Sequence, residues 1–288
     1  MKNFCFLFYS NETYLPILDL TLGEFNYYFN NNPFKKYVVS NKFTDYIFTN
    51  KNATFLNSNV DFLNSNVDFE GQGRHFSQTM EKALSLIDEE YIIFFCDDYM
   101  LIDSPNLNNL IEICRLVEEH KIDYFTFGST LPKKDWVEFN FESEILPQGR
   151  KFFLMPDNFH YLYSVQPCIW KKQALLEILK YNPTLSLHDL DTANLKNRQG
   201  YNREMDYLTS LWKKYPFGEQ SYGFKTVCTD FKAYDELENF EFLVFPYIEI
   251  IRHGFFNITS LTNTYKFLNK FIEDRKIKDN PFFKKYIP

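Results

Sequence analysis

Apolar residues are spaced along the first 130 positions in two alternating rhythms. Phe4–Tyr9 is a short unbroken apolar run, the pattern of a strand buried on both faces. Leu15, Leu18, Leu22, Phe25 and Phe29 then recur at helical spacing and predict a helix with one apolar face. Tyr37–Ser40 reads as a second strand ending at Asn41, and Tyr46–Thr49 as a third. Strand, helix and strand within this short span suggest a βαβ unit and a parallel sheet. The rhythm resumes at Phe76, Met80, Ala83, Leu84 and Ile87, an amphipathic helix. It is followed by the wholly apolar YIIFFC at 91–96, expected to be a central strand, which runs into Asp97 and Asp98. Leu107, Leu110, Ile111, Cys114 and Val117 predict another helix, and Asp123–Phe127 another strand.

The second half is less periodic. Trp136–Phe141, Lys151–Met155 and Phe159–Ser164 read as extended, and Lys171–Lys180 and Arg203–Lys213 as helical. Phe242–Arg252 is apolar throughout and fits strand or helix, and Leu261, Tyr265, Leu268 and Phe271 predict a last helix. No Gly/Ser linker divides the chain. The expectation is one domain over 1–288, with a nucleotide-binding half at 1–130 and an acceptor half at 131–288. The heptapeptide FLNSNVD occurs in tandem at 55–61 and 62–68. Two copies are too few for a solenoid, so the repeat is expected to be a surface loop.

Composition narrows the chemistry. The chain has 33 Phe and 20 Tyr against 9 Gly, a bias of AT-rich coding that weakens any reading of aromatic enrichment. It points to a low-GC bacterium or a large DNA virus. The net charge is −7 with no basic tract, which removes the electrostatic footprint of a nucleic-acid binder. An acidic protein that holds a diphosphate needs a local device, a metal ion or a few placed cations. Cys5, Cys96, Cys114, Cys168 and Cys228 are widely separated with no CxxC, as expected of reduced core residues. No membrane span and no signal peptide are expected, which places the protein in the cytoplasm of the bacterium or of an infected cell.

A buried strand that ends in two adjacent aspartates needs compensation, because the charges repel and desolvation penalises both. A divalent cation removes both penalties. Mg²⁺ or Mn²⁺ takes hard oxygen ligands, commonly one or two carboxylates with phosphate oxygens and water. A P-loop is excluded for want of GxxxxGK[ST]. A nucleotidyltransferase would need a Gly-rich loop where SNETYLP stands, and a dehalogenase-type phosphatase would need Asp-x-Asp where Asp97-Asp98-Tyr99 stands.

Three blocks carry a resemblance. FSQTMEKALSLIDEEYIIFFCDDYML (76–101) resembles the stretch around the DxD motif of GT-A glycosyltransferases. SVQPCIWKKQALLEIL (164–179) and YIEIIRHGF (247–255) are similar, in the same order, to two later blocks of a bacterial and viral group with that fold. The motif departs from a strict DxD at Cys96, and Phe255 stands where the group has a basic residue. The resemblance implies an α/β fold of GT-A type, a mixed, mostly parallel sheet flanked by helices with an acceptor-side subregion. It implies transfer of a hexosyl or deoxyhexosyl group from a nucleotide-diphosphate sugar to a glycan or other hydroxyl acceptor, with Mn²⁺ or Mg²⁺. Asp98 would be the principal metal ligand, and Asp97 would touch the ribose or the metal. Tyr9, Ser10 and Asn11 at the first strand end, with Ser40 and Asn41 at the second, would bind base and ribose. Arg74 would contact the diphosphate, and His253 would close the metal site from late in the chain. An inverting transfer needs a carboxylate to take the acceptor proton. Asp191 has the best spacing for that role, followed by Asp189, with Glu204 and Asp206 as the fallback pair. A degenerate, non-catalytic GT-A-like module is the alternative, because of Cys96.

Overall fold

The computed structural model describes residues 2–40, 60–64, 76–127, 136–139, 143–146, 151–155, 166–181, 226–229, 243–252, 255–256 and 270–274, with single residues 276, 279 and 283. The first expected elements form as read. Strand β1 spans Phe4–Ser10 and helix α1 spans Leu15–Phe29. Strand β2 is Lys35–Ser40, two residues longer at its start than the apolar run, because Lys35 and Lys36 continue the pairing. Next come α2 (Phe76–Leu86), β4 (Tyr91–Cys96), α3 (Leu107–Glu119) and β6 (Tyr124–Thr126). The segment Tyr46–Thr49 lies outside the described residues.

The tandem repeat corrects an expectation. Val60–Asn64 forms strand β3, straddling the junction of the two copies and pairing in parallel with β2. Its residues VDFLN pair one for one with Lys36–Ser40 of β2, from Val60 opposite Lys36 to Asn64 opposite Ser40. The second half supplies β7 (Val137–Phe139), β8 (Phe152–Leu154), β9 (Cys168–Lys171), α4 (Lys172–Tyr181) and β10 (Thr226–Thr229). The ambiguous apolar run resolves as extended, with β11 at Tyr247–Glu249 and β12 at Ile251–Arg252, the latter paired with β13, Phe255–Phe256. Phe159–Ser164 and Arg203–Lys213 lie outside the described residues, and of the last expected helix only 270–274 is described.

The main sheet has nine strands in the order β3-β2-β1-β4-β9-β6-β10-β8-β7. Strands β3, β2, β1, β4, β6, β10 and β7 run one way, and β9 and β8 run against them. It is therefore a mixed, mostly parallel sheet with helices packed on it. Strands from after residue 130 lie within this sheet, with β9 between β4 and β6. Every residue of β1 and β4 is buried, which explains their unbroken apolar runs.

Helix α1 buries more than the single face its spacing predicts. Leu15, Leu18, Leu22, Phe25 and Phe29 enter the main core. Ile17 and Leu20 turn into a second cluster with Met100, Ile248, Ile250, Phe271, Ile272 and Phe283. The second cluster exists because β11 pairs with β5 (Tyr99–Leu101), directly after the aspartates. The late chain is thereby folded back over the end of β4.

Candidate active site

The strand order places the site before any side chain is considered. The chain moves outward from β1 to β2 to β3, then returns to add β4 on the other side of β1. The crevice outside the carboxyl ends of strands at such a reversal is where open α/β sheets bind ligands. In the parallel pairing Tyr9 stands opposite Cys96, and Ser10 stands opposite Ser40 on the far side. The ends of β2, β1 and β4 therefore bring Ser40, Ser10 and Asp97 into adjacent positions at the switch point.

Asp97 and Asp98 form the turn that follows β4, and both are partly buried. The backbone of this turn is held from three elements. The Asp97 amide donates to the Tyr9 carbonyl at 3.1 Å, and Ile250 N–H donates to the Asp98 carbonyl at 2.7 Å. From α1, the Thr21 hydroxyl donates to the Asp97 carbonyl at 2.6 Å. The Ser10 hydroxyl donates to the Asp97 carboxylate and also lies 3.0 Å from the Asn11 carbonyl. Burial raises the pKa of Asp97 well above its ordinary value of 3.8, against hydrogen bonds from Ser10 and nearby backbone that favour the charged form. Oδ1 of Asp98 is shut away from solvent.

The other expected residues divide. Tyr9 is 6% exposed, its ring packed edge-on against Phe76 at 4.9 Å. Ser10 and Ser40 are buried. Asn11 uses its side-chain oxygen to cap the single 3-10 turn Glu12–Tyr14, accepting from Thr13 N–H at 2.8 Å and Tyr14 N–H at 3.3 Å. This fixes the chain where it leaves β1 for α1. Asn41, Arg74, Asp189, Asp191, Glu204, Asp206 and His253 lie outside the described residues.

Sequence reasoning missed three contributors. Tyr14 lies close enough to both aspartates that burial, then their negative field, raises its phenol above 10.0. Thr21 and Ile250 hold the turn's carbonyls. A threonine in the middle of an apolar helix was the visible signal for Thr21, whereas a backbone donor 152 residues from Asp98 leaves none for Ile250.

The donor chemistry suits a hard divalent cation. Among the described residues no group of three or more His, Cys, Asp or Glu side chains stands together as a metal cage. Two adjacent carboxylates remain, and a Mg²⁺- or Mn²⁺-type ion completes such a set with phosphate oxygens and water. Cys96 contributes nothing to it. Its side chain is 2% exposed within the core, like the rest of β4, which is buried along its whole length. All four described cysteines, Cys5, Cys96, Cys114 and Cys168, are buried and outside any disulfide, as expected from their apolar surroundings. No helix among the described residues is long and apolar enough to cross a membrane.

No protein-family model and no curated protein matches the chain. Among solved structures the chain is similar to glycosyltransferases. One is S. aureus TarS 1–349 in complex with UDP-GlcNAc, at 14% identity and a TM-score of 0.36, covering 59% of this chain and 45% of that one. A second is the galactosyltransferase LgtC in complex with donor and acceptor sugar analogs, at 10% identity and 0.37, covering 77% and 85%. A third is the mannosyltransferase PcManGT from Pyrobaculum calidifontis in complex with GDP-Man and Mn²⁺, at 10% and 0.31, covering 46% and 36%. The chain thus spans about half the length of TarS 1–349 and about a third of PcManGT. Likenesses at these identities and TM-scores decide nothing about chemistry, and the site's own geometry carries the functional reading.

Proposed function

We propose that the chain is a glycosyltransferase of GT-A type that binds a nucleotide-diphosphate sugar at the carboxyl ends of β1, β2 and β4. The observation that carries this is the Asp97-Asp98 turn at the sheet's switch point, with its backbone fastened from β1, α1 and the late chain. Asp98 would hold Mn²⁺ or Mg²⁺ with help from Asp97. When bound, the ion neutralises the departing diphosphate as a Lewis acid. Ser10 holds the Asp97 carboxylate in place. Arg74 and His253 are proposed as the diphosphate and late-chain contacts, and Asn11, Ser40 and Asn41 as neighbours of the base and ribose. The acceptor would be a glycan or other hydroxyl compound, its proton taken by Asp191 in an inverting displacement.

Buried Cys96 favours a second reading. A strict acidic triplet would have an oxygen donor there, and without one the site could bind a donor without turning it over, as a non-catalytic module.

Thermal unfolding with a panel of nucleotide-sugars, with and without Mn²⁺, tests both. The expected result is a Mn²⁺-dependent rise in Tm with at least one donor. A ligand at about 100 times its Kd adds roughly 2.7 kcal/mol of apparent stability. Asp98→Asn should abolish the rise while leaving the unliganded Tm near wild type. No donor raising the Tm, or an undiminished rise in excess chelator, would overturn the site. Donor hydrolysis or transfer by the purified protein separates the enzyme from the module.

A further inference from the structure

The carboxylate turn is fastened by a residue that no reading of the motif includes. Thr21 lies in the middle of α1 and is 1% exposed. A threonine at such a position ordinarily returns its hydroxyl to a carbonyl one turn earlier in its own helix, or faces water. Thr21 instead donates to the carbonyl of Asp97, 76 residues further along the chain, at 2.6 Å. The residues around it on the helix, Ile17 and Leu20 on one side and Leu18 and Leu22 on the other, make apolar contacts with two different clusters. The hydroxyl is thus a polar fastening between two apolar seams.

We infer that Thr21 is a positioning residue for the metal site: by holding the Asp97 carbonyl it fixes the peptide joining Asp97 to Asp98, and so sets how the two carboxylates are presented together. The inference rests on the donor-site reading above. The physical reason is specific to this turn. Peptide 97–98 is planar and carries both aspartates, so rotating it swings one carboxylate away from the other. Its carbonyl is held by Thr21, and the following carbonyl is held by Ile250 N–H. Releasing the first removes the restraint on this peptide's own carbonyl, while the Asp97 amide and the Asp98 carbonyl on either side stay held. Residues that orient metal ligands without touching the metal typically change metal affinity by about 10–100-fold when altered.

The test compares Thr21→Val, which keeps shape and β-branching but not the donor, with Thr21→Ser, which keeps the donor. The probe is Mn²⁺ alone, titrated by electron paramagnetic resonance, with Tm measured in chelator for each protein. Thr21→Val should weaken Mn²⁺ binding about 10-fold or more, and Thr21→Ser should bind within about twofold of wild type. Thr21→Val binding Mn²⁺ like wild type, or Thr21→Ser failing as badly as Thr21→Val, overturns the inference. If Thr21→Val does not fold, Thr21→Cys, smaller than Thr and with only a weak thiol donor, takes its place. Wild-type affinity in Thr21→Cys overturns the inference, and a loss supports it. A wild-type protein that holds no Mn²⁺ at all overturns the site reading itself, and this inference with it.

Discussion

Lys36 shows what a single residue can hide. It lies in β2 at 5% exposure, its ammonium 3.1 Å from the Asn26 amide oxygen and 5.8 Å from the centre of the Phe25 ring. An amide and a ring face compensate a buried charge only in part, and burial lowers the Lys36 pKa below 10.5. The unfolded chain therefore binds a proton that the folded one resists. That stabilising difference is present above 10.5 and is lost as pH falls through the lowered folded value. Lys36→Met should raise stability at pH 7, and the gain over wild type should shrink as pH approaches 10.5. Urea unfolding of both proteins at several pH values checks this; a gain that does not change with pH would contradict it. Glu89 shows the opposite outcome beside the same end of β2, where it is bound by Lys35 and Tyr37 on either side of Lys36. Burial alone would raise its pKa, but hydrogen bonds from Lys35 at 2.9 Å, its own backbone and Tyr37 at 3.1 Å hold it below 4.5.

At the scale of elements, the late segment 243–250 does the most to assemble the site. Its β11 pairs with β5, and the segment is further held where Pro246 and Val244 carbonyls accept from Ile102 and Asn106. The Asn109 side chain of α3 donates to the Leu243 carbonyl at 2.7 Å. Phe245 anchors it, with ring centroids 4.9 Å from Phe127, 5.1 Å from Phe95 and 6.1 Å from Phe6. Phe245 is 2% exposed, so Phe245→Ala should lower unfolding stability by about 3–5 kcal/mol. Chemical denaturation measures it, and a loss under about 1 kcal/mol would mean that the segment is not anchored through this ring. The hydrogen bond from Ile250 to the Asp98 carbonyl couples this anchoring to the carboxylate turn. In the sequence the segment is only an apolar run, equally suited to a helix. Its strand state is set by the open edge of β5, which no local pattern announces.

For the whole molecule, the proposed division of labour predicts distinct kinetics. The strand ends at the switch point would hold the donor, and an acidic residue after the SVQPCIWKKQALLEIL block would act on the acceptor. General-base catalysis contributes about 10²–10⁴-fold, so Asp191→Asn should lower kcat by that order while donor affinity stays nearly unchanged. Steady-state kinetics with donor binding measured separately decides it. Near-wild-type kcat in Asp191→Asn, with the loss appearing in Asp189, Glu204 or Asp206 variants, would move the role to that residue. A product that retains the donor's anomeric configuration would rule out the single displacement.

How much the sequence determines follows from the range of the interactions involved. Periodicity alone located β1, α1, β4 and α3, because an apolar face repeats within one element whatever it packs against. It also located Asp97 and Asp98, since two carboxylates closing an apolar strand stand out against their neighbours. Only the tertiary structure placed β9 between β4 and β6, turned part of the FLNSNVD repeat into an edge strand, and gave α1 a second buried face. It alone showed that Thr21 reaches Asp97. Each of these depends on a partner many residues away, and pairing across that distance is fixed by the packing of the whole sheet rather than by any local pattern of residues.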